Sequence, residues 1–211
     1  MKKINIIDLG LRDYREIWKF QKELAQKRKN DLIVDTLLIV EHYPVYTTGS
    51  KGNFSNILID KESLKSKGIP LYHVERGGDI TYHGPGQLVV YPVIKLKDVF
   101  KSIREFVYDL EEVIIRVLKE FNVKGERKDK HRGVFVDNKK ICSIGVAVRE
   151  KVTFHGLAFN INMDLTPFKW IRPCGLDIEM TDLSKEIKRD IKIQDITPFF
   201  IKHFKEIFGY N

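Results

Sequence analysis

Between Arg76 and Pro92 the chain reads RGGDITYHGPGQLVVYP. Two glycine clusters, Gly77-Gly78 and Gly84-Pro85-Gly86, bracket side chains with functional groups. Glycine removes the Cβ barrier, so the backbone there can turn tightly or approach a ligand closely. Arg76 offers a planar cationic fork, and Tyr82, His83 and Gln87 offer directional hydrogen bonds. The same letters also suit two ordinary turns around a hairpin. Neither GxxxxGK[ST] nor GxGxxG occurs, which argues against a phosphate-cradling P-loop or a dinucleotide fingerprint.

Thiol chemistry has two candidates, Cys142 and Cys174. Cys142 lies in an apolar strand pattern, where a cysteine behaves as a small inert hydrophobe. Cys174 lies in Arg172-Pro173-Cys174-Gly175, a loop that suits an exposed sulfur beside backbone N–H groups; a structural loop cysteine reads the same way. The loop favours Cys174 without excluding Cys142. On a strand, Lys140 and Lys139 point to opposite faces, and the same period of two puts Cys142 on the face of Lys140. Gly145 and Gly156 fall inside strand patterns, where glycine marks a bulge or a close backbone approach. The histidines, His42, His73, His83, His131, His155 and His203, make no HExxH, and no CxxC exists, so a metal site is not expected.

The elements that must hold these groups follow from periodicity. Tyr14–Ala25 repeats at helical spacing, Thr36–Val40 reads as a strand, and Tyr43–Phe54 as a loop. Asp60–Lys67 reads as a short helix stopped by Gly68. Leu71–Glu75 and Leu88–Leu96 read as strands flanking the glycine-rich stretch. Ser102–Phe121 is the clearest helix, with one wide apolar face. Val134–Val136 and Ile141–Val148 flank the turn signal DNKK, a predicted hairpin, and Val152–Ile161 is a further strand. Ile196 to Phe208 returns to helix, with Gly209 past its end. Strands and helices without strict alternation predict an α/β or α+β class with a mixed sheet and flanking helices.

At 211 residues the length favours one domain and buries enough surface to need no disulfide or metal staple. Apolar residues at 43% and charged residues at 31% exclude a disordered chain. No apolar run approaches the roughly 18–20 residues of a membrane span. The opening MKKINIIDLG has only a short apolar stretch, broken by Asn5 and Asp8, unlike a signal peptide. Two cysteines without a framework fit a reducing cytosol. The 37 basic against 29 acidic residues give +8, a surface that steers acidic partners. Apart from Lys22–Lys29 and Lys124–Arg132 the charge is dispersed, which reads as a solvated surface; a nucleic-acid-binding module has no motif behind it.

Four segments in order, Arg76–Gln87 (RGGDITYHGPGQ), Lys140–Gly145 (KICSIG), Phe154–Asn160 (FHGLAFN) and Pro173–Leu176 (PCGL), resemble the lipoyl(octanoyl) transferase family. The resemblance implies the fold of the biotin and lipoate protein ligase catalytic domain, as a single catalytic domain over 1–211. It implies transfer of an octanoyl group from octanoyl-acyl carrier protein to a lysine of lipoyl domains, through a Cys thioester and without a cofactor, in the cytoplasm. The implied acceptors are lipoyl domains of 2-oxoacid dehydrogenase complexes and the glycine cleavage H protein, with no nucleic-acid or membrane partner.

Carried onto this chain, the resemblance makes Cys174 the nucleophile and Lys140 its catalytic partner. Lys140 would favour the thiolate as an ammonium and then serve the incoming amine as a base. The acyl site would comprise Arg76, Gly77, Gly78, Asp79, Ile80, Thr81, Tyr82 and His83, with Ser143, Ile144, Gly145, Gly156, Leu157 and Ala158. His83 is the runner-up base, better suited to positioning substrate. Oxyanion donors are sought among backbone N–H groups at Gly175 and Leu176 or at Gly77 and Gly78. Burying the octanoyl tail contributes roughly 5 kcal/mol at about 0.8 kcal/mol per carbon. The alternative is an ATP-dependent lipoate or biotin ligase of the same fold, whose lysine would hold an adenylate and which would not need Cys174.

Overall fold

The computed structural model describes residues 2–52, 54–96, 102–129, 131–172 and 178–211. The chain order is β1 (Ile4–Arg12), α1 (Tyr14–Lys29), β2 (Asp35–His42), β3 (Val45–Thr48), α2 (Lys61–Ser66), β4 (Leu71–His73), β5 (Ile80–His83) and β6 (Gln87–Val93). There follow α3 (Ile103–Glu120), β7 (Glu126–Lys128), β8 (His131–Val136), β9 (Lys139–Arg149), β10 (Val152–Asn160), α4 (Leu183–Ile187) and α5 (Ile193–Phe208). Seven strands form a mixed sheet in the order β1-β2-β6-β10-β9-β8-β7, and β4-β3-β5 form a small second sheet. Only β1 with β2 and β3 with β4 run parallel among these pairs.

The central strands are apolar on both faces because helices cover both. Along β2, Leu37 and Ile39 face α3 and α5, while Leu38 and Val40 face α1. Such two-sided burial turns the usual alternation into a continuous run, TLLIV. α1 starts on Asp13, whose carboxylate accepts from the N–H groups of Arg15 and Glu16, and ends in Lys27, Arg28 and Lys29, a charge order that suits the helix dipole. α3 starts on Ser102 and buries Phe106, Leu110, Val113, Ile114, Val117 and Leu118. α5 stops at Gly209 in the left-handed region (φ 69°). It lays Phe200, Phe204 and Phe208 beside α3, with the Phe106 and Phe208 rings 5.4 Å apart.

Four strands depart from the periodicity reading: β1, β3, β5 and β7, the last inside the basic run Lys124–Arg132 read as a solvated surface. β1 was hidden by Asn5 and Asp8 because it is an edge strand with alternating exposure. β3 lies in the stretch read as loop, and β5 inside the glycine-rich stretch; they pair with each other, Val45 opposite His83 and Thr48 opposite Ile80. Four-residue strands between glycines and prolines carry little period of their own, and non-local pairing defines them. The hairpin falls where expected, with Val136 opposite Lys139 across Asp137-Asn138. Among the described residues no helix is long and apolar enough to cross a membrane.

Candidate active site

A cavity of about 810 Å³ lies against the open faces of β9 and β10, capped by the β4-β3-β5 side of the molecule. That volume is within the range of small-ligand sites. Arg76, Gly77, Gly78, Asp79, Ile80, Thr81 and His83 form one wall; Lys140, Ser143, Ile144, Gly145, Gly156, Leu157 and Ala158 form the opposite one. The structure therefore brings together segments that are far apart in sequence. Tyr82 is the exception: its ring turns from the cavity into an apolar cluster, 5.3 Å from the Tyr46 ring and 5.5 Å from that of Phe168. Alternation along β5 sends neighbouring side chains to opposite sides.

The glycine-rich wall is pinned through its main chain. The Arg76 guanidinium donates to the Thr47 carbonyl (2.7 Å) and hydroxyl (3.0 Å) and to the Gly77 carbonyl (3.1 Å). Gly77 N–H donates to the Val146 carbonyl at 3.1 Å, tying this wall to β9. Gly145 and Gly156 face each other across β9 and β10. A Cβ on Gly145 would stand 2.8 Å from the Gly77 carbonyl oxygen, and one on Gly156 would strike the Val90 main chain. The two glycines thus serve close backbone approach before any widening of an acyl slot.

His42, His83 and His155 form a buried, neutral group at the cavity. His83 is stacked on Tyr14 with 5.8 Å between centroids. Its Nδ1 lies 2.8 Å from Gln87 Oε1, while Gln87 Nε2 donates to Asn160 Oδ1 and Asn160 Nδ2 to the Thr181 carbonyl, both at 2.9 Å. The amide chain makes His83 Nδ1 the donor and leaves Nε2 as an acceptor. Burial, helped by repulsion from His42, drives the His83 pKa down to about 3. His42 is bracketed by the Arg12 carbonyl (3.1 Å) and the Tyr91 hydroxyl (2.8 Å), and burial takes its pKa down to about 4. His155 lines the cavity from a left-handed backbone (φ 54°) with Nε2 3.5 Å from Glu75 Oε2, and burial lowers its pKa too.

Lys140 stands in the facing wall, only 2% exposed. Its Nζ lies 5.5 Å from the centre of the Phe135 ring. Its main chain is taken up by the segment directly before α4: Lys140 N–H donates to the Glu179 carbonyl (2.8 Å), and Thr181 N–H donates to the Lys140 carbonyl (3.0 Å). Cys174, with Pro173, Gly175 and Leu176, lies outside the described residues. The chain leading to it is anchored as well. Arg172 N–H donates to the Asn56 carbonyl at 2.7 Å, and the Asn56 amide donates to the Asp79 carboxylate on the glycine-rich wall.

Cys142 is fully buried in the main core and does not line the cavity. The register between β8 and β9 shifts: Val134 faces Cys142 but Phe135 faces Lys140. This bulge breaks the strict alternation expected from sequence. Burial pushes the Cys142 thiol well up, the opposite of nucleophile activation. Sequence reasoning missed Tyr14, Tyr91, Lys51, Arg104 and Arg132 as lining residues. The tyrosines read as ordinary core and the cations as ordinary surface, so only folding reveals their shared address. Among the described residues no group of three or more His, Cys, Asp or Glu is placed to hold a metal ion.

Comparisons with solved proteins define the class first. A bipartite lipoate protein ligase from Thermoplasma acidophilum superposes with a TM-score of 0.77 at 16% identity, covering 100% of this chain and 86% of that one. The biotin protein ligase of Aquifex aeolicus superposes at 0.58 with 14% identity, over 99% and 70%. The fold is that of the lipoate and biotin protein ligases. At the sequence level, residues 13–205 match the model of the lipoyl protein ligase A/B catalytic domain. An octanoyltransferase of Caldicellulosiruptor saccharolyticus is 42% identical over 98% of this chain and 89% of its own length. One from Dictyoglomus turgidum is 43% identical over 100% and 90%. The chain belongs to the lipoyl protein ligase A/B catalytic domain family.

Proposed function

We propose that the chain is an octanoyltransferase of protein lipoylation, a single catalytic domain that carries the acyl group on Cys174 and uses Lys140 as its proton partner. The donor is octanoyl-acyl carrier protein. The acceptors are lysines of lipoyl domains, in 2-oxoacid dehydrogenase complexes and the glycine cleavage H protein, and the compartment is the cytoplasm. The observation that carries the reading is Lys140: a lysine buried in the cavity wall, with its main chain bonded to Glu179 and Thr181 shortly after Cys174 in sequence. The relatives named octanoyltransferase, alike over nearly the whole chain, support it.

In the first half-reaction the Cys174 thiolate, favoured by the Lys140 ammonium, attacks the octanoyl carbonyl carbon. The bond to the carrier sulfur breaks, and the carrier leaves as a thiol with the proton from Lys140. In the second, the lipoyl-domain amine attacks the new thioester; its proton passes to the neutral Lys140, an amide forms, and Cys174 departs as thiolate. Thioester to amide is downhill, so no nucleotide is spent. His83, neutral and hydrogen-bonded through Nδ1, suits orientation of substrate rather than proton transfer at neutral pH. The net charge of +8 and the cavity-lining Lys51, Arg104 and Arg132 suit acidic protein partners.

The deciding experiment is mass spectrometry after mixing with octanoyl-acyl carrier protein in the absence of ATP. One octanoyl adduct is expected, absent in Cys174→Ala and retained in Cys142→Ala; the reverse pattern would move the nucleophile to Cys142. Transfer to an apo-lipoyl domain only with free octanoate and ATP would instead make the chain a ligase.

A further inference from the structure

One charged side chain on the apolar face of α3 stands out. Glu111 is 2% exposed and lies among Leu110, Val113 and Ile114, where an ionised carboxylate is costly unless it is held and paired. It is held. Oε1 accepts from the Gly133 N–H at 2.9 Å, and Oε2 lies 3.4 Å from Arg127 Nε. The Arg127 guanidinium is fixed in turn on the Tyr108 ring (3.8 Å to its centre) and by Glu112 Oε2 (2.6 Å). Gly133 has φ 121°, and a Cβ on it would stand 2.8 Å from Lys140 Cε. The strand that Glu111 grips is therefore the bed on which the Lys140 stem lies.

We infer that Glu111 is a positioning residue for Lys140: anchored by Gly133 and Arg127, it sets the path of the lysine stem and supplies the negative charge that biases its protonation. The catalytic meaning of this coupling rests on the proposed role of Lys140; the coupling itself does not. Among the described residues the charged groups acting on Glu111 are Arg127 from β7, Arg132 from β8 and Lys140 from β9, each favouring the carboxylate against the opposing effect of burial, which raises its pKa. The Cys142 thiol feels both Lys140 and Glu111, consistent with one small electrostatic cluster.

Glu111→Gln keeps an oxygen for the Gly133 N–H and removes only the charge. In protein labelled with 13C-lysine, with the Lys140 Cε signal assigned by its loss in Lys140→Arg, the titration midpoint of that signal should fall by about 0.5 unit or more in Glu111→Gln. The acidic limb of octanoyl transfer from the preformed acyl-enzyme should move down in pH with it, at unchanged acceptor KM. Glu111→Asp, which keeps the charge, should restore the parental midpoint. A folded Glu111→Gln protein with an unmoved Lys140 midpoint overturns the inference. Should circular dichroism show that variant unfolded, the parent decides: the Lys140 signal must show an inflection as the Glu111 carboxyl carbon titrates, and its absence also overturns the inference. If the midpoint moves but Lys140→Ala still transfers octanoate normally, it is the proposed function that fails.

Discussion

The cavity has two polar walls built on different principles. In and behind the glycine-rich wall, His83 and His42 are buried with hydrogen bonds, and burial outweighs every nearby charge and leaves both neutral. Around the opposite wall, Lys140 is equally buried but lies in a cluster with Glu111, Arg127 and Arg132. Desolvation alone removes charge from a group; desolvation among opposite charges keeps charge available for proton transfer. The first wall suits fixed hydrogen-bond geometry; the second is where the proposed proton transfer would take place.

The largest expected contrast is in transfer rate. Lys140→Ala should reduce octanoyl transfer by roughly 10²–10⁴-fold, the usual contribution of a positioned acid–base group, and slow both half-reactions. His83→Gln should act mainly on substrate KM. Equal kcat losses in steady-state assays of the two variants would erase the distinction between the walls.

Next comes acid stability. The pKa values of His42 and His83 in the fold, about 4 and about 3, lie below the usual value near 6.5 in an unfolded chain. Above that value both states are neutral and nothing changes; as pH falls below it the unfolded chain binds more protons, so stability is lost. Each histidine should withdraw roughly 2 kcal/mol by pH 5, while Glu111, raised by burial, works in the opposite sense. Urea unfolding at pH 7 and pH 5 measures the difference, and His42→Gln should flatten it. A stability indifferent to pH over this range would mean that the histidine wall is not neutral.

Cys142→Ser tests whether the second sulfur belongs to the lysine wall or to the core beneath it. A hydroxyl placed in that dry site should cost about 1–3 kcal/mol in thermal or denaturant unfolding while transfer continues. Lost transfer with intact stability would place Cys142 in the chemistry. The smallest change is remote from both walls. Lys19→Ala breaks an exposed 3.9 Å pair with Glu23 and should move stability by no more than about 0.5 kcal/mol.

Much of this was legible before folding. The α3 stripe, the α5 aromatics ending at Gly209 and the Asp137-Asn138 hairpin follow from local period and turn chemistry, which act within a few residues. β3 and β5 were not legible, since each is only four residues and exists through pairing with the other. Of the residues expected from the motif segments, all but Tyr82 among the described ones line the cavity, but the helix and loop residues that complete the lining, such as Tyr14, Lys51 and Arg104, carry no motif; Tyr82 turns away because strand alternation overrides membership in a motif.

From its order of residues alone, this chain declares most of its element types and its α/β class, because helix and strand patterns are local quantities; that its motif segments share one site was implied by the family resemblance. Which side chains share a dielectric is a three-dimensional matter. The bulge that parts Lys140 from Cys142, the glycine contacts that let two walls close, and the carboxylate of Glu111 beneath the lysine bed arise only when strands distant in sequence take up one register. Electrostatic coupling depends on distance and burial, and the fold alone sets both.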